Sequence, residues 1–129
     1  MNDERAFLER HLSYYQQHGL GFWATVLRDT GELIGRCGLL TQEVDGQKEM
    51  EIAYLLSPRF WGRGLASEAA RSLRDYGFHT LGRTRLVSLI HPENTASKRV
   101  ALAAGLRYEK HTAFGGREVE VYSVERLPG

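Results

Sequence analysis

The sequence predicts one α/β domain, a mixed β-sheet with helices covering its faces, and three observations lead to this fold class. The 129 residues are enough to bury one core but too few for two independent domains. The predicted elements follow the order helix, three strands, helix, strand, helix, two strands, without a repeat or a linker between them. The strand–helix–strand passage over residues 50–90 is typical of a right-handed parallel crossover. We therefore treat residues 1–129 as a single domain.

The composition excludes several classes of protein. The 17 Lys and Arg nearly balance the 16 Asp and Glu, which argues against a nucleic-acid partner. The single cysteine, Cys37, excludes an internal disulfide framework, and without a cysteine pair the five scattered histidines give no metal site. The charged N-terminus does not resemble a signal peptide, and no apolar run approaches the roughly 18 residues of a membrane span. We expect a cytoplasmic protein without a metal or a membrane partner.

The first half of the chain predicts one helix and three strands. Apolar residues recur at helical spacing over residues 3–18. Two strands are expected at 22–28 and 32–40, joined by a tight turn at 29–31. After a break at 45–47, alternating residues predict a third strand over 50–56, whose polar face carries Glu49 and Glu51 near its start.

The second half predicts two helices that alternate with strands. An amphipathic pattern favours a helix over residues 66–77, and residues 85–90 form a short apolar strand. A second helix is expected over 95–104, ended by Gly105. The last two strands, 106–112 and 119–126, are separated by a turn at Gly115 and Gly116.

The segment between the third strand and the following helix carries the strongest functional signal. Gly62 and Gly64 allow the backbone to approach a ligand closely. Residues 59–66 contain no Ser, Thr, Asp or Asn, so the first amides of the helix lack an obvious side-chain cap. Such a helix start suits a phosphate or pyrophosphate, with added charge from Arg59 and Arg63. The alternative is an ordinary glycine-containing turn, while the spacing excludes both the Walker loop and the dinucleotide fingerprint.

The motif Arg59-x-x-Gly62-x-Gly64-x-Ala66 resembles the acyl-CoA signature of the GNAT N-acetyltransferase superfamily. The surrounding runs are similar to the branch that contains the ribosomal-protein N-terminal acetyltransferases, and they occur in the same order at 51–58, 61–64, 68–69, 91–97 and 104–106. The resemblance implies an α/β (α+β) fold with a mixed, mostly antiparallel sheet, a central parallel pair and helices on both faces.

The resemblance also implies a cofactor site for acetyl-CoA, in a chain whose composition already predicts no metal. The backbone of Tyr54, Leu55 and Leu56 is expected to pair with the pantetheine arm, and Asn94 is expected to hold the cofactor's amide region while it caps its own helix. The pyrophosphate is expected at the main-chain amides from Trp61 to Ser67. The cofactor-binding residues of the loop are then Arg59, Trp61, Gly62, Arg63, Gly64, Leu65, Ala66 and Ser67.

The resemblance assigns two catalytic roles. Attack by an amine on a thioester needs a neutral amine and a proton for the leaving thiolate. Glu51 occupies the position of the base and Ser97 that of the proton donor, whereas Ala101 stands where many relatives have a tyrosine acid. The alternative for Glu51 is a solvent-facing carboxylate, in which case Glu49 on the same face becomes the candidate base.

The expected reaction is transfer of an acetyl group from acetyl-CoA to a primary amine, either a protein N-terminus or a small molecule. Relatives usually open with a strand and a helix that precede the helix at 3–18, and we expect this N-terminally short chain to lack both. The strand at 22–28 would then be a sheet edge, bare or covered by another chain such as a second copy. The rival functions are a catalytically impaired CoA-binding regulatory or assembly module and a purely structural domain that pairs through this edge.

Overall fold

The computed structural model describes residues 21–26, 32–62 and 64–126. The helix predicted over residues 3–18, the turn at 29–31 and the loop residue Arg63 lie outside the described residues. Within the described parts, a six-stranded sheet carries two helices and two short helical turns.

The sheet is mixed and mostly antiparallel, as predicted. Its strands, listed in chain order, are β1 Gly21–Val26, β2 Leu33–Val44, β3 Gln47–Leu56, β4 Arg85–Ile90, β5 Arg107–Phe114 and β6 Arg117–Glu125. Their order across the sheet is β1-β2-β3-β4-β6-β5. The central β3–β4 pair is parallel and the other neighbours are antiparallel. The crossover predicted over residues 50–90 therefore connects the two middle strands.

Two tight hairpins fix the register of the long strands. At the first turn Asp45 and Gly46 have φ values of 52° and 79°, the signature of a type I′ turn. Gly115 and Gly116, with φ values of 59° and 79°, form the second turn between β5 and β6. Because each turn uses only two residues, pairing runs right up to it, and β2 extends to Val44 rather than ending near residue 40.

The two helices are α1, Leu65–Asp75, and α2, Thr95–Ala103. The first ends two residues earlier than predicted and continues as a π-helical turn, Tyr76–Thr80. Gly77 within this turn packs closely on β4, because a β-carbon there would lie 3.0 Å from the Leu86 side chain. The second helix is followed by Gly105, whose φ of 90° is typical of a glycine that ends a helix.

Both described helices pack on the same face of the sheet. Ala69 and Leu73 of α1 share one buried core with Ala101 of α2 and with Ile52 and Leu86 of the central strands. The opposite face carries a smaller buried cluster of Val44, Val87 and Val121. Coverage of both faces was predicted, and the helix at 3–18, which belongs to that prediction, lies outside the described residues. Along these residues no helix combines the length and apolar character that a bilayer crossing requires.

Candidate active site

The central parallel strands separate at their carboxyl ends. In the described structure β3 and β4 are in register at one position, Glu51 opposite Val87, whereas β3 pairs with β2 along its full length. Beyond that position a cleft of about 290 Å³ opens between the strands. The residues that line it are Leu40, Glu51, Ile52, Ala53, Tyr54, Leu55, Ser88, Leu89, Ile90, Asn94 and Ser97.

Glu51, the candidate catalytic base, is one of the residues that line this cleft. Its carboxylate accepts hydrogen bonds from the Gln42 side-chain amide at 3.1 Å and from the Leu89 backbone N–H at 3.4 Å. Burial raises the pKa of Glu51 above its ordinary value, while these two bonds act in the opposite direction. Gln42 was not predicted as a site residue, because its approach to Glu51 depends on the β2–β3 register.

Glu49 has a different role from Glu51, although the two share a face. Both oxygens of its carboxylate accept hydrogen bonds from Arg85, which also binds Glu109. These carboxylates raise the pKa of Arg85 above its ordinary value. The Arg85 bonds engage Glu49 in a salt-bridge network, and Glu49 does not line the cleft that contains Glu51. The structure thus places Glu51, and not Glu49, where a ligand in the gap could meet a carboxylate.

The other wall of the cleft is the start of α2. Asn94 caps this helix as predicted, because its side-chain oxygen accepts a hydrogen bond from the Ser97 N–H at 3.0 Å. The Tyr54 hydroxyl donates to the Ser97 main-chain oxygen, also at 3.0 Å. Burial raises the pKa of Tyr54 to about 12, so this phenol is protonated at neutral pH. Ala101 is only 1% exposed and belongs to the core.

The glycine loop ends in an uncapped helix start, as the sequence predicts. Gly62 and Gly64 have φ values of 76° and 77°, a region that favours glycine. Within the described part of the chain no side chain caps α1 at Gly64, whose carbonyl accepts the Glu68 N–H at 3.1 Å. Apart from its chain neighbours, a β-carbon at either glycine would meet no atom of the described residues within 4 Å, so these residues leave space for a ligand beside the loop. The amides of Leu65, Ala66 and Ser67 belong to the first turn, whose N–H groups have no partner within the helix.

A second cleft, of about 220 Å³, lies between the loop and the gap. It shares Tyr54, Leu55, Asn94 and Ser97 with the first cleft, and its remaining lining residues are Leu56, Trp61, Ala66, Ala96 and Val100. The two neighbouring clefts thus lie between the uncapped helix start and Glu51. An extended ligand with a phosphate at one end fits this arrangement.

Two predicted cofactor residues have partners within the chain that the sequence did not indicate. The Trp61 indole N–H donates to the Leu56 carbonyl at 2.9 Å, although the side chain is 64% exposed. Arg59 forms a 3.0 Å salt bridge with Glu32. The Leu56 carbonyl therefore already accepts one hydrogen bond within the protein, and the Arg59 charge is partly balanced by Glu32.

The described residues contain no group of three or more His, Cys, Asp or Glu side chains arranged to hold a metal ion. The polar groups that line the clefts are instead a carboxylate, a phenol, hydroxyls and an amide. Of these groups, the carboxylate can accept a proton from a reacting amine, and the phenol and hydroxyls can donate one to a thiolate.

Comparisons with known proteins agree on one family. Residues 1–107 match the model of the acetyltransferase (GNAT) domain. The uncharacterized protein YkkB of Bacillus subtilis is 39% identical over 105 residues, which are 81% of this chain and 61% of that protein. The chain thus spans about three-fifths of the length of this curated relative.

Solved structures of acetyltransferases share the fold. An acetyltransferase from Agrobacterium tumefaciens is 32% identical with a TM-score of 0.72, over 90% of this chain and 67% of that one. The aminoglycoside acetyltransferase AAC(6')-Ib, solved in complex with coenzyme A, has a TM-score of 0.70 at 20% identity, over 88% of this chain and 70% of that one. At that lower identity the likeness concerns the fold alone.

Proposed function

The chain belongs to the GNAT acetyltransferase family, and on this premise we propose that it transfers an acetyl group from acetyl-CoA to a primary amine. The observation that carries the proposal is the pair of neighbouring clefts, with four lining residues in common, that lie between the uncapped start of α1 and Glu51. The acceptor is a protein N-terminus or a small-molecule amine.

The residues of the helix start and of these clefts match the parts of acetyl-CoA. The amides of Leu65, Ala66 and Ser67 and the open space at Gly62 and Gly64 suit the pyrophosphate. Arg59, Trp61 and Arg63 flank that position in the sequence. The β3 backbone at Tyr54, Leu55 and Leu56 offers main-chain groups for the pantetheine arm, and Asn94 borders both clefts.

The catalytic proposal uses side chains that line the clefts. When bound, acetyl-CoA supplies an activated acetyl thioester. Glu51 accepts a proton from the amine, directly or through water, and its raised pKa makes it a stronger base than an ordinary glutamate. Ser97 lines both clefts and serves as the proton donor to the thiolate.

The acceptor enters beside Glu51, where Leu40 and Leu89 also line the cleft. The sequence resemblance to the ribosomal-protein branch makes a peptide N-terminus the first acceptor to test. We place the reaction in the cytoplasm, where acetyl-CoA and newly made proteins are both present.

The proposal includes a homodimer. β1 is an edge strand of the described sheet, and a second copy of the chain can pair with it there. Analytical ultracentrifugation measures this oligomeric state directly.

The test begins with the protein alone and coenzyme A in a calorimeter. Binding is expected, followed by release of free thiol when acetyl-CoA is mixed with an amine from a panel of peptides, amino acids, polyamines and aminoglycosides. Absence of both binding and turnover would contradict the enzyme and its site together. Ser97→Ala should then reduce turnover more than it weakens cofactor binding.

A second candidate function is a CoA-binding regulatory module without acetyl transfer. The observation that favours it is the core alanine, Ala101, at the position where many relatives carry a tyrosine acid. Tight binding of coenzyme A with no turnover on any amine would support this function over the first.

A further inference from the structure

The gap between β3 and β4 is crossed by two hydrogen bonds that involve side chains. The Ser88 hydroxyl donates to the Ile52 carbonyl at 3.0 Å, and the Leu89 N–H donates to the Glu51 carboxylate at 3.4 Å. Ser88 is only 3% exposed, so its hydroxyl is placed in the interior of the sheet and needs a partner there.

These bonds occupy the groups that would otherwise close the sheet. Glu51 is in parallel register with Val87, and regular continuation of that ladder pairs the Leu89 N–H with the Ile52 carbonyl. Both groups face across the gap, but each is bonded to a side chain of the opposite strand. Side chains therefore take the place of a main-chain bond at the point where the strands separate.

We propose that Ser88 and Glu51 act together as a wedge that holds the two strands apart and keeps the cofactor slot open. Ser88 is then a positioning residue, and Glu51 has a structural role in addition to the catalytic one. The inference rests on the proposed binding of acetyl-CoA in this gap.

The wedge acts by disfavouring a closed sheet. Without the Ser88 hydroxyl, the Ile52 carbonyl has lost its partner and can accept the Leu89 N–H instead. Formation of this main-chain bond closes the gap and so competes with coenzyme A. The apparent affinity falls in proportion to the fraction of molecules in which the gap is open.

The first experiment measures coenzyme A binding to Ser88→Ala by calorimetry, with Ser72→Ala as the matched control. Ser72 lies in α1, and its hydroxyl is also buried but has no hydrogen-bond partner among the residues that the structure describes. We expect Ser88→Ala to bind coenzyme A about tenfold more weakly, on the scale of one lost buried hydrogen bond, and Ser72→Ala to bind like the wild type. Ser88→Thr keeps the hydroxyl and should restore binding.

The second experiment follows hydrogen exchange of the Leu89 amide without any ligand. Exchange should be slower in Ser88→Ala than in the wild type, because this amide moves from a long bond with a carboxylate to a ladder bond with Ile52. This measurement tests the wedge even if the wild type binds no coenzyme A, a result that would contradict the proposed function instead.

A pair of substitutions at Glu51 covers the case in which Ser88→Ala does not fold. Glu51→Gln keeps an oxygen for the Leu89 N–H and should retain coenzyme A affinity, whereas Glu51→Ala removes it and should weaken binding. The wedge is refuted by unchanged affinity or unslowed Leu89 exchange in folded Ser88→Ala, or by equal affinities of the two Glu51 variants.

Discussion

The Tyr54 hydroxyl donates a 3.0 Å hydrogen bond to the Ser97 main-chain oxygen and so joins β3 to the first turn of α2 across the candidate active site. The Ser97 N–H is held in turn by the Asn94 side chain. Both main-chain groups of Ser97 are thereby fixed. These two bonds position the Ser97 side chain at the cleft, although neither bond is made to the side chain itself.

Tyr54→Phe tests this arrangement, because it removes one hydroxyl and keeps the ring. The free energy of unfolding should fall by about 1 kcal/mol, the usual net value of such a bond. The value of kcat should fall more than acetyl-CoA affinity, since Ser97 loses its positioning. Urea unfolding and steady-state kinetics measure the two effects. Tyr108→Phe is the control, because Tyr108 is 54% exposed on β5 and does not line either active-site cleft; an equal kcat loss in both variants contradicts the argument.

Matched substitutions at Glu51 and Glu49 test which of the two glutamates is the catalytic base. Glu51→Gln should lower kcat by about a hundredfold or more, the lower range for loss of a general base. Glu49→Gln should leave kcat close to the wild-type value but reduce stability, because Arg85 loses a charged partner. Kinetics at fixed pH and thermal unfolding separate the two outcomes. If Glu49→Gln is the inactive variant, the assignment is reversed.

The pH dependence of activity should report the environment of Glu51. Its raised pKa places the acid limb of kcat/KM above the ordinary range of a glutamate, and activity falls as pH drops through that pKa and the base is protonated. Gln42→Leu removes a hydrogen bond that lowers this pKa, so the acid limb should move to still higher pH. The wild type and the variant are measured with the same amine acceptor, so that titration of the acceptor contributes equally to both pH profiles. An unshifted limb means that another group controls it.

Gly64→Ala separates loop conformation from ligand binding, with Gly46→Ala as its control. Both glycines have positive φ values, 77° and 79°, and both have open space where a β-carbon would stand. The strain should lower the stability of each variant by roughly 1 kcal/mol. Only Gly64→Ala should also weaken coenzyme A binding, because its methyl group enters the space assigned to the pyrophosphate. Equal coenzyme A affinities in calorimetry would place the pyrophosphate elsewhere.

Local features of this fold were predictable from the sequence. The turns at Asp45–Gly46 and Gly115–Gly116 depend on residues that tolerate positive φ, and the Asn94 cap depends on a side chain three residues from its partner. The π-helical turn after Asp75 was not predicted, because no local pattern marks it and it accompanies the close packing of Gly77 on Leu86.

The candidate site, like the fold, has some features that were predictable from the sequence and others that were not. The uncapped loop at Gly62 and Gly64 could be recognised from residue types alone, and the family resemblance added Glu51 and Ser97. The partners of these residues could not be recognised. Gln42 reaches Glu51 and Tyr54 reaches Ser97 through pairing of strands and packing of a helix that are distant in the sequence. The bond from Ser88 to the Ile52 carbonyl beside them depends on the same long-range pairing.

The sequence by itself determined the order of the described strands and α-helices, the turns at 45–46 and 115–116, the glycine loop and the family, because each depends on the types of residues at short spacing. Only the tertiary structure decided which of two neighbouring glutamates faces the cleft and how the central strands are kept apart. The physical reason is that hydrogen bonds such as Ser88 to Ile52 join residues 36 positions apart, so they exist only after the crossover has brought β3 and β4 together.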